Sequence, residues 1–375
     1  MRFEVQGARA QLWVLVLVAL SCAAKPEKKE KPRPPPEPTD PISRIKRTVA
    51  HSYEAVCTLE PEKLEELVSD QVVGYGFGPV DYIQNRNSLI AEARQQLVPF
   101  GLHGDTLRVV KSRPRVGLSS DQMSAWVWDL PQIEQERGGD KGTRIWLPRV
   151  TMHLVYEFSS WRIDGFHLSF GYPDADLYAP EAERALISPA PLDVNKGPNS
   201  DQAVGLARRL IDDITVKVNR VADSDQVLLL GTDPGDVFEG GLAFKNFARP
   251  RLAELKKAPF TLKMDGGPVA RTTGKTAWVL ATVQLTLGKG KDLKRLTPFR
   301  AFWVFAENGE MLDLVLEHQS LGLKPEQRKP GTADEVKANK VLNEKALGDT
   351  PDAGSDKTEK TDKKAPTNRG NSDAG

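Results

Sequence analysis

Apolar positions alternate with period two across Pro298 to Ser320 (PFRAFWVFAENGEMLDLVLEHQS), on both sides of Asn308-Gly309. That dipeptide signals a two-residue hairpin, because both central positions of a type I′ turn need positive φ. A turn there predicts Phe305 opposite Leu312, Trp303 opposite Leu314, Ala301 opposite Leu316 and Phe299 opposite His318, all on one face of the ribbon. The other face pairs Val304 with Asp313, Phe302 with Val315 and Arg300 with Glu317. His318 is the residue that interrupts the apolar side.

The pattern is echoed at Val150 to Ser169 (VTMHLVYEFSSWRIDGFHLS). A turn at Ser159-Ser160 predicts Phe158 against Trp161, Tyr156 against Ile163, Leu154 against Gly165 and Met152 against His167, with Glu157 opposite Arg162. Ala125-Trp-Val127 precedes the first His-x-Ser by nearly the interval at which Ala277-Trp-Val279 precedes the second. Gly76-Phe-Gly-Pro79 and Gly231-Thr-Asp-Pro234 stand before each set. Matches in one order at closely similar spacing predict two copies of one domain.

Upstream of each β-rich half the period is helical. Ile42, Ile45, Val49, Tyr53 and Val56 form one stripe, Pro61 opens a short helix through Val68, and Tyr82 to Leu97 reads as a third helix. Strands are expected near 107 to 111, 122 to 130, 145 to 158 and 161 to 170. In the second half Ser200 can cap a helix running to Val218, Val227 to Leu230 is a short strand, and a helix covers about Val237 to Phe247. Strands follow near 260 to 264, 276 to 287, 298 to 305 and 311 to 320. Helices first and an antiparallel sheet after is an α+β order. The expected organisation is a leader at 1–21, a Pro/Lys-rich segment at 22–41, a first domain at 42–173, a linker at 174–199, a second domain at 200–322 and a tail at 323–375.

The leader has Arg2 and Arg9 followed by the apolar run Leu12 to Leu20, too short to span a bilayer as a mature helix. Val18-Ala-Leu-Ser-Cys22 resembles a bacterial lipobox, which implies a lipid-modified Cys22 and a membrane anchor, the competing reading being an ordinary secretory signal cut nearby; Ala23, where an inner-membrane retention signal would carry Asp, favours the outer membrane. Lys25 to Pro41 would then be an extended stalk with a reach of roughly 50 Å. The tail lacks aromatics and is expected not to pack, with at most a frayed helix over Ala333 to Leu347.

Charge is balanced at +1 over 375 residues, so nothing predicts nucleic-acid binding. With Cys22 modified, Cys57 has no disulfide partner. The five histidines form no short-spaced pair and no Cys cluster exists, so neither a metal nor a cofactor is expected. Leu287-Gly-Lys-Gly-Lys291 lacks the context of a phosphate loop and reads as a basic hairpin turn.

The order of elements, with GTDP ahead of the third helix, AWV on a middle strand and HQS on the last, resembles the SnoaL-like group of the nuclear transport factor 2-like superfamily. The resemblance is fuller over Ser200 to Leu321 than over Pro41 to Pro173. It implies two cone-shaped domains, each with N-terminal helices packed in a curved antiparallel sheet, whose open ends can hold an apolar ligand. It also implies pairing of domains, or of chains, through the outer sheet faces, where Phe302, Val315, Phe166 and Leu168 are expected. The predicted register lines the cones with Phe299, Trp303, Leu314, Leu316, Met152 and Ile163. It aims His318 and His167 inward, with Tyr156 on the same face as His167. An isomerase, cyclase or dehydratase acting on a small hydrophobic carbonyl compound would use those histidines as bases beside a polar partner. The competing expectation is that the histidines are buried core residues bonded to Ser169 and Ser320, that Asp233 and Asp236 are turn residues, that Asp212 and Asp213 are solvated, and that Trp126 and Trp278 pack. The leading expectation is an envelope lipoprotein whose domains form a non-catalytic ligand- or partner-binding module, with a scaffold using its sheet faces as a third reading.

Overall fold

A computed structural model describes residues 39–78, 81–139, 142–171, 199–233, 235–257, 260–288, 294–295 and 298–321. The expected leader and tail, the stalk up to residue 38 and the interdomain linker up to residue 198 lie outside the described residues, as does most of the Leu287 to Lys291 turn. No described helix is long and apolar enough to cross a membrane.

The first domain begins with α1 (Pro41–Cys57), whose start is set by Asp40: its Oδ1 accepts from the Ser43 amide at 2.8 Å, and Pro41 needs no donor there. The stripe Ile45, Val49, Tyr53 and Val56 is buried. A 3₁₀ turn (Pro61–Glu66), β1 (Val68–Tyr75) and β2 (Tyr82–Ile83) follow, then α2 (Arg86–His103). Asn85 and Ser88 close a capping box at its start, and Gly104, at φ 67°, ends it in the left-handed conformation. The remaining strands are β3 (Thr106–Lys111), β4 (Arg115–Leu118), β5 (Ser124–Asp129), β6 (Gln132–Glu136), β7 (Thr143–Trp146), β8 (Arg149–Glu157) and β9 (Ser160–Ser169). They form a curved sheet in the order β2-β1-β9-β8-β5-β4 and a separate sheet β3-β6-β7, the second of which alternation alone did not foresee.

The second domain repeats the plan. The single helix expected from Ser200 is broken into α3 (Ser200–Asp212) and α4 (Ile214–Arg220), because Asp213 leaves the helix and caps the next one, its Oδ1 accepting from the Thr215 amide at 2.7 Å. After β10 (Leu228–Leu230) the chain forms β11 (Val237–Glu239), where a helix was expected, and only then α5 (Gly241–Ala248) and α6 (Leu252–Leu255). The sheet, β11-β10-β16-β15-β13-β12, is completed by β12 (Phe260–Thr273), β13 (Thr276–Leu287), β15 (Phe299–Asn308) and β16 (Met311–Ser320), with a short β14 (Lys294–Arg295) beside β13. The fold is α+β, two domains each with helices packed in a curved sheet, and the helical stripes and inner sheet faces form the cores.

Both hairpins turn earlier or later than expected, and both last strands carry one extra residue. In the second domain the turn is Gly309-Glu310, with Asn308 paired to Met311 and Phe305 to Leu314. A bulge then shifts the register, so Val304 pairs with Leu316, Trp303 with Glu317, Phe302 with His318 and Arg300 with Ser320. In the first domain Phe158 and Ser159, at φ 50° and 63°, make the turn. Leu154 pairs with Ile163, and after the bulge His153 pairs with Gly165, Thr151 with His167 and Arg149 with Ser169. The residues passed over are Asp164 and Val315, which hold equivalent places three residues before each histidine. One extra residue exchanges the two faces of everything beyond it. Leu316 and His318 are therefore on the outer face, not the inner one, and so is His167. Phe166 and Leu168 move inward.

The outer faces of the two sheets lie against each other across one apolar layer that includes Tyr75, Trp126 and Trp128 from the first domain and Trp278, Phe302 and Leu316 from the second. Gly165 lets the sheets approach: a Cβ there would sit 3.2 Å from Trp278 and 3.3 Å from Phe302. Gly165→Leu is expected to cost about 1–3 kcal/mol in urea unfolding by overpacking this layer. Gly205→Ala, inside α3 with open space around the added carbon, should instead gain about 0.5–1 kcal/mol. Equal stability of Gly165→Leu and the parent would rule out the close approach.

Candidate functional site

The two bulges deliver a polar cluster to the middle of this seam. The rings of His167 and His318 stack with centroids 4.0 Å apart, and both are fully buried. Each histidine bonds the serine of the other domain: His167 Nε2 to Ser320 Oγ at 2.6 Å and His318 Nε2 to Ser169 Oγ at 2.7 Å. Two buried arginines at the start of the preceding strands cross the seam in the same reciprocal way. Arg149 donates to the carbonyls of Gly231 at 2.6 Å and Asp233 at 2.5 Å, and Arg300 to that of Gly78 at 2.8 Å. Those carbonyls belong to matching turns, closed by Gly76 N–H to Asp81 O and by Gly231 N–H to Asp236 O, each at 2.9 Å.

The symmetry fails at one place. Thr151 Oγ1 meets His318 Nδ1 at 2.9 Å, whereas the position equivalent to Thr151 in the second domain, cross-strand from His318, is Phe302. His167 Nδ1 is left buried without a partner, as is Arg300 Nε. Burial, with the neighbouring histidine and Arg300, holds His167 well below the usual imidazole range, and burial with Arg149 and Arg300 does the same to His318. Burial also lowers both guanidinium groups to about 10. The cluster thus carries its positive charge on the arginines and keeps the imidazoles neutral.

A second buried group lies beside it. Asp164, the bulge residue, bonds His153 Nδ1 at 2.5 Å and accepts from Trp278 Nε1 at 3.1 Å, with Arg271 Nη1 at 3.5 Å. Burial pushes its carboxyl up, but His153 and Arg271 outweigh that and hold it below the usual range. His153 Nε2 meets Thr276 Oγ1 at 2.7 Å, and that hydroxyl reaches Ser124 Oγ at 2.7 Å. The order acid, imidazole, hydroxyl has the connectivity of a nucleophile triad. Asp164, His153, Thr276 and Ser124 are each at most 2% exposed, so no substrate reaches them in this arrangement.

The cones hold different residues. In the first, a cavity of about 40 Å³ is lined by Leu64, Leu89, Met152, Ile163, Phe166 and Leu168, with Val68 and the hydroxyl-bearing Ser52. Ser52 spends its hydroxyl on the Val49 carbonyl at 2.8 Å. Deeper in this core Tyr53 Oη donates to Asp129 Oδ2 at 2.8 Å, and burial raises both groups above their ordinary ranges. In the second, Glu317 accepts from Trp303 Nε1 at 3.0 Å and Gln319 Nε2 at 2.7 Å and pairs with Lys217.

Of the residues singled out from sequence, Met152 and Ile163 line the first cavity, and Phe299, Trp303 and Leu314 belong to the inner core. Leu316 lies in the seam, and Arg300 faces Ser320 where Glu317 was expected. Tyr156 stands near the hairpin tip under Arg44, whose guanidinium is 5.1 Å from its ring, away from His167. Asp233 organises its turn, accepting from the Gly235 amide at 2.7 Å. Cys22 lies outside the described residues. The arginines were missed, although Arg149 precedes Ser169 at the same spacing as Arg300 precedes Ser320, and so was the shared Gly-x-x-Pro-x-Asp of both turns.

No protein-family model and no curated protein sequence matches the chain. Among solved structures it is similar to an NTF2-like protein of unknown function from Pseudomonas putida, at 16% identity and TM-score 0.28 over 36% of this chain and 91% of that one. A ketosteroid isomerase-like protein from Erwinia carotovora matches at 12% identity and TM-score 0.29, over 36% and 99%. A candidate scytalone dehydratase from Novosphingobium aromaticivorans matches at 14% identity and TM-score 0.29, over 34% and 81%.

Neutral histidines sealed in the seam make stability fall in acid. Their folded-state affinity for protons is below that of the unfolded chain, whose value is 6.5, so the unfolded state binds more protons once the pH drops beneath that value. Stability is expected to fall below about pH 6.5 by about 1.4 kcal/mol per pH unit for each histidine. Urea unfolding between pH 7.5 and 5 measures this, and His318→Gln should remove about half of the slope assigned to the pair.

Proposed function

We propose that the chain is a lipid-anchored protein of the bacterial envelope, the outer membrane being favoured, whose two domains act together as a non-catalytic partner-binding unit. The observation that supports it most is where the acid–base residues lie. The histidines bond hydroxyls and an acid inside the seam, and the described cavity of the first cone, at about 40 Å³, has room for little more than water-sized guests. A small hydrophobic ligand would have to widen that cone to enter. Envelope placement rests on the leader and on Cys22 in its lipobox-like setting.

Expression of the full chain in a bacterium supplied with labelled palmitate should yield a labelled, membrane-fractionating protein, and Cys22→Ala should be unlabelled. An unlabelled parent chain would remove the anchor from the proposal.

The enzymatic reading has one observation in its favour, the Tyr53–Asp129 pair within the first cone. Under the binding reading this pair is structural. Tyr53→Phe should then cost about 1–3 kcal/mol of stability by leaving a buried carboxyl one partner short, and the parent should give no turnover of small enolisable ketones. Turnover by the parent that Tyr53→Phe abolishes at unchanged fold would establish the enzyme instead.

A further inference from the structure

We infer that the helical run from α5 to α6 of the second domain is a docking surface for an anionic lipid bilayer. The run Gly241 to Leu255 is continuous: α5, a 3₁₀ turn at Arg249–Arg251, then α6. Its buried side is fixed by Phe244, Ala248 and Lys245, the last bonded to Asp223 at 2.6 Å. Its outer side carries large apolar groups in water: Leu242 is 51% exposed, Phe247 42% and Leu255 37%, and Phe260 just beyond is 49% exposed. Phe247 is braced from beneath by Phe238, whose ring centroid is 5.0 Å away, so it projects from a firm base.

The same stretch is basic. Between Lys245 and Lys257 the sequence has Lys245, Arg249, Arg251, Lys256 and Lys257 against the single acid Glu254. Arg249, Arg251, Lys256 and Lys257 are all exposed; Asp223 feels the charge of Arg249 and Asp213 that of Lys256, but among the described residues no carboxylate forms a direct ion pair with any of the four. Arg251 lies with its guanidinium 4.4 Å over the Phe247 ring and donates to the Phe247 carbonyl at 2.9 Å. Phe247, Arg251 and Leu255 recur at intervals of four along the helical path and so share a face. Exposed rings and leucines set among unpaired cations match the boundary between acyl chains and anionic headgroups, where the apolar groups enter and the cations remain at phosphate depth. A protein groove would have to supply several carboxylates for the same cations. A bilayer supplies negative charge at any spacing.

This deepens the envelope reading without needing the lipid on Cys22. A basic, apolar patch would add a second membrane contact to the anchor proposed at Cys22. The second contact would also set the orientation of the domain pair above the membrane.

The test uses the chain from residue 22 onward carrying Cys22→Ser, which cannot be lipidated, with vesicles of phosphatidylcholine containing phosphatidylglycerol and, for comparison, phosphatidylcholine alone. Co-sedimentation should show binding to the anionic vesicles that weakens with salt, and little to the neutral ones. Arg251→Gln, Lys256→Gln and Lys257→Gln together should weaken it roughly a hundredfold, at about fivefold per cation. Phe247→Ser with Leu255→Ser should also lose most binding at unchanged circular dichroism. Arg208→Gln with Arg209→Gln, on exposed positions of α3, should leave it within about twofold. Absence of binding at low salt, or equal losses from the α3 pair, overturns the inference. So would concentration-dependent self-association through Phe247 and Leu255 without vesicles, which would assign the surface to a second copy of the chain.

Discussion

The constraint on which the rest of this structure depends is parity in a β-strand. Side chains alternate between faces, so one inserted residue reverses every assignment beyond it. Both domains insert that residue at the same place in their last strand, Asp164 in one and Val315 in the other. The insertion leaves the hairpin tips facing the cone and turns the His-x-Ser segment outward. Without it, His167 and His318 would enter the two cores and Phe166 and Leu168 would face the seam.

Turned outward, those residues become the polar centre of an otherwise apolar seam. Burying two guanidinium groups is costly unless their protons are used, and here they are directed to turn carbonyls of the opposite domain. The reciprocal bonding gives the seam one register: a sliding of either sheet would leave arginines, imidazoles and hydroxyls unpaired together. The unmatched pair Thr151 and Phe302 shows the limit of the repeat, since the phenyl ring adds to the apolar layer and removes the hydroxyl that His167 would need.

The same geometry bears on chemistry. A histidine between an acid and a hydroxyl has the connectivity of an activated nucleophile, yet His153, Asp164 and Thr276 lie where the sheets meet, each at most 1% exposed. Connectivity supports structure as readily as catalysis, and access separates the two. The first cone has a small apolar hollow with its polar pair placed deeper in the core, and the second has Glu317 already held by Lys217, Trp303 and Gln319. Charge and exposed apolar surface gather instead along α5 and α6.

The sequence alone determined what depends on local periodicity and punctuation: helices before strands, two hairpins, a twofold repeat, and the turn at Asp233. It identified the histidines, the serines and the AWV strands as counterparts, because repetition is visible without geometry. It could not reveal the bulges, since an extra residue amid Ile163-Asp-Gly165 or Leu314-Val-Leu316 carries no local mark, and an apolar stretch reads alike on either face. The small sheet formed by β3, β6 and β7 escaped for a similar reason, its short strands being set by pairing more than by alternation. Which face each histidine occupies, what each arginine reaches and whether a cone stays open were decided by tertiary structure, because each depends on partners brought from other strands or from the other domain.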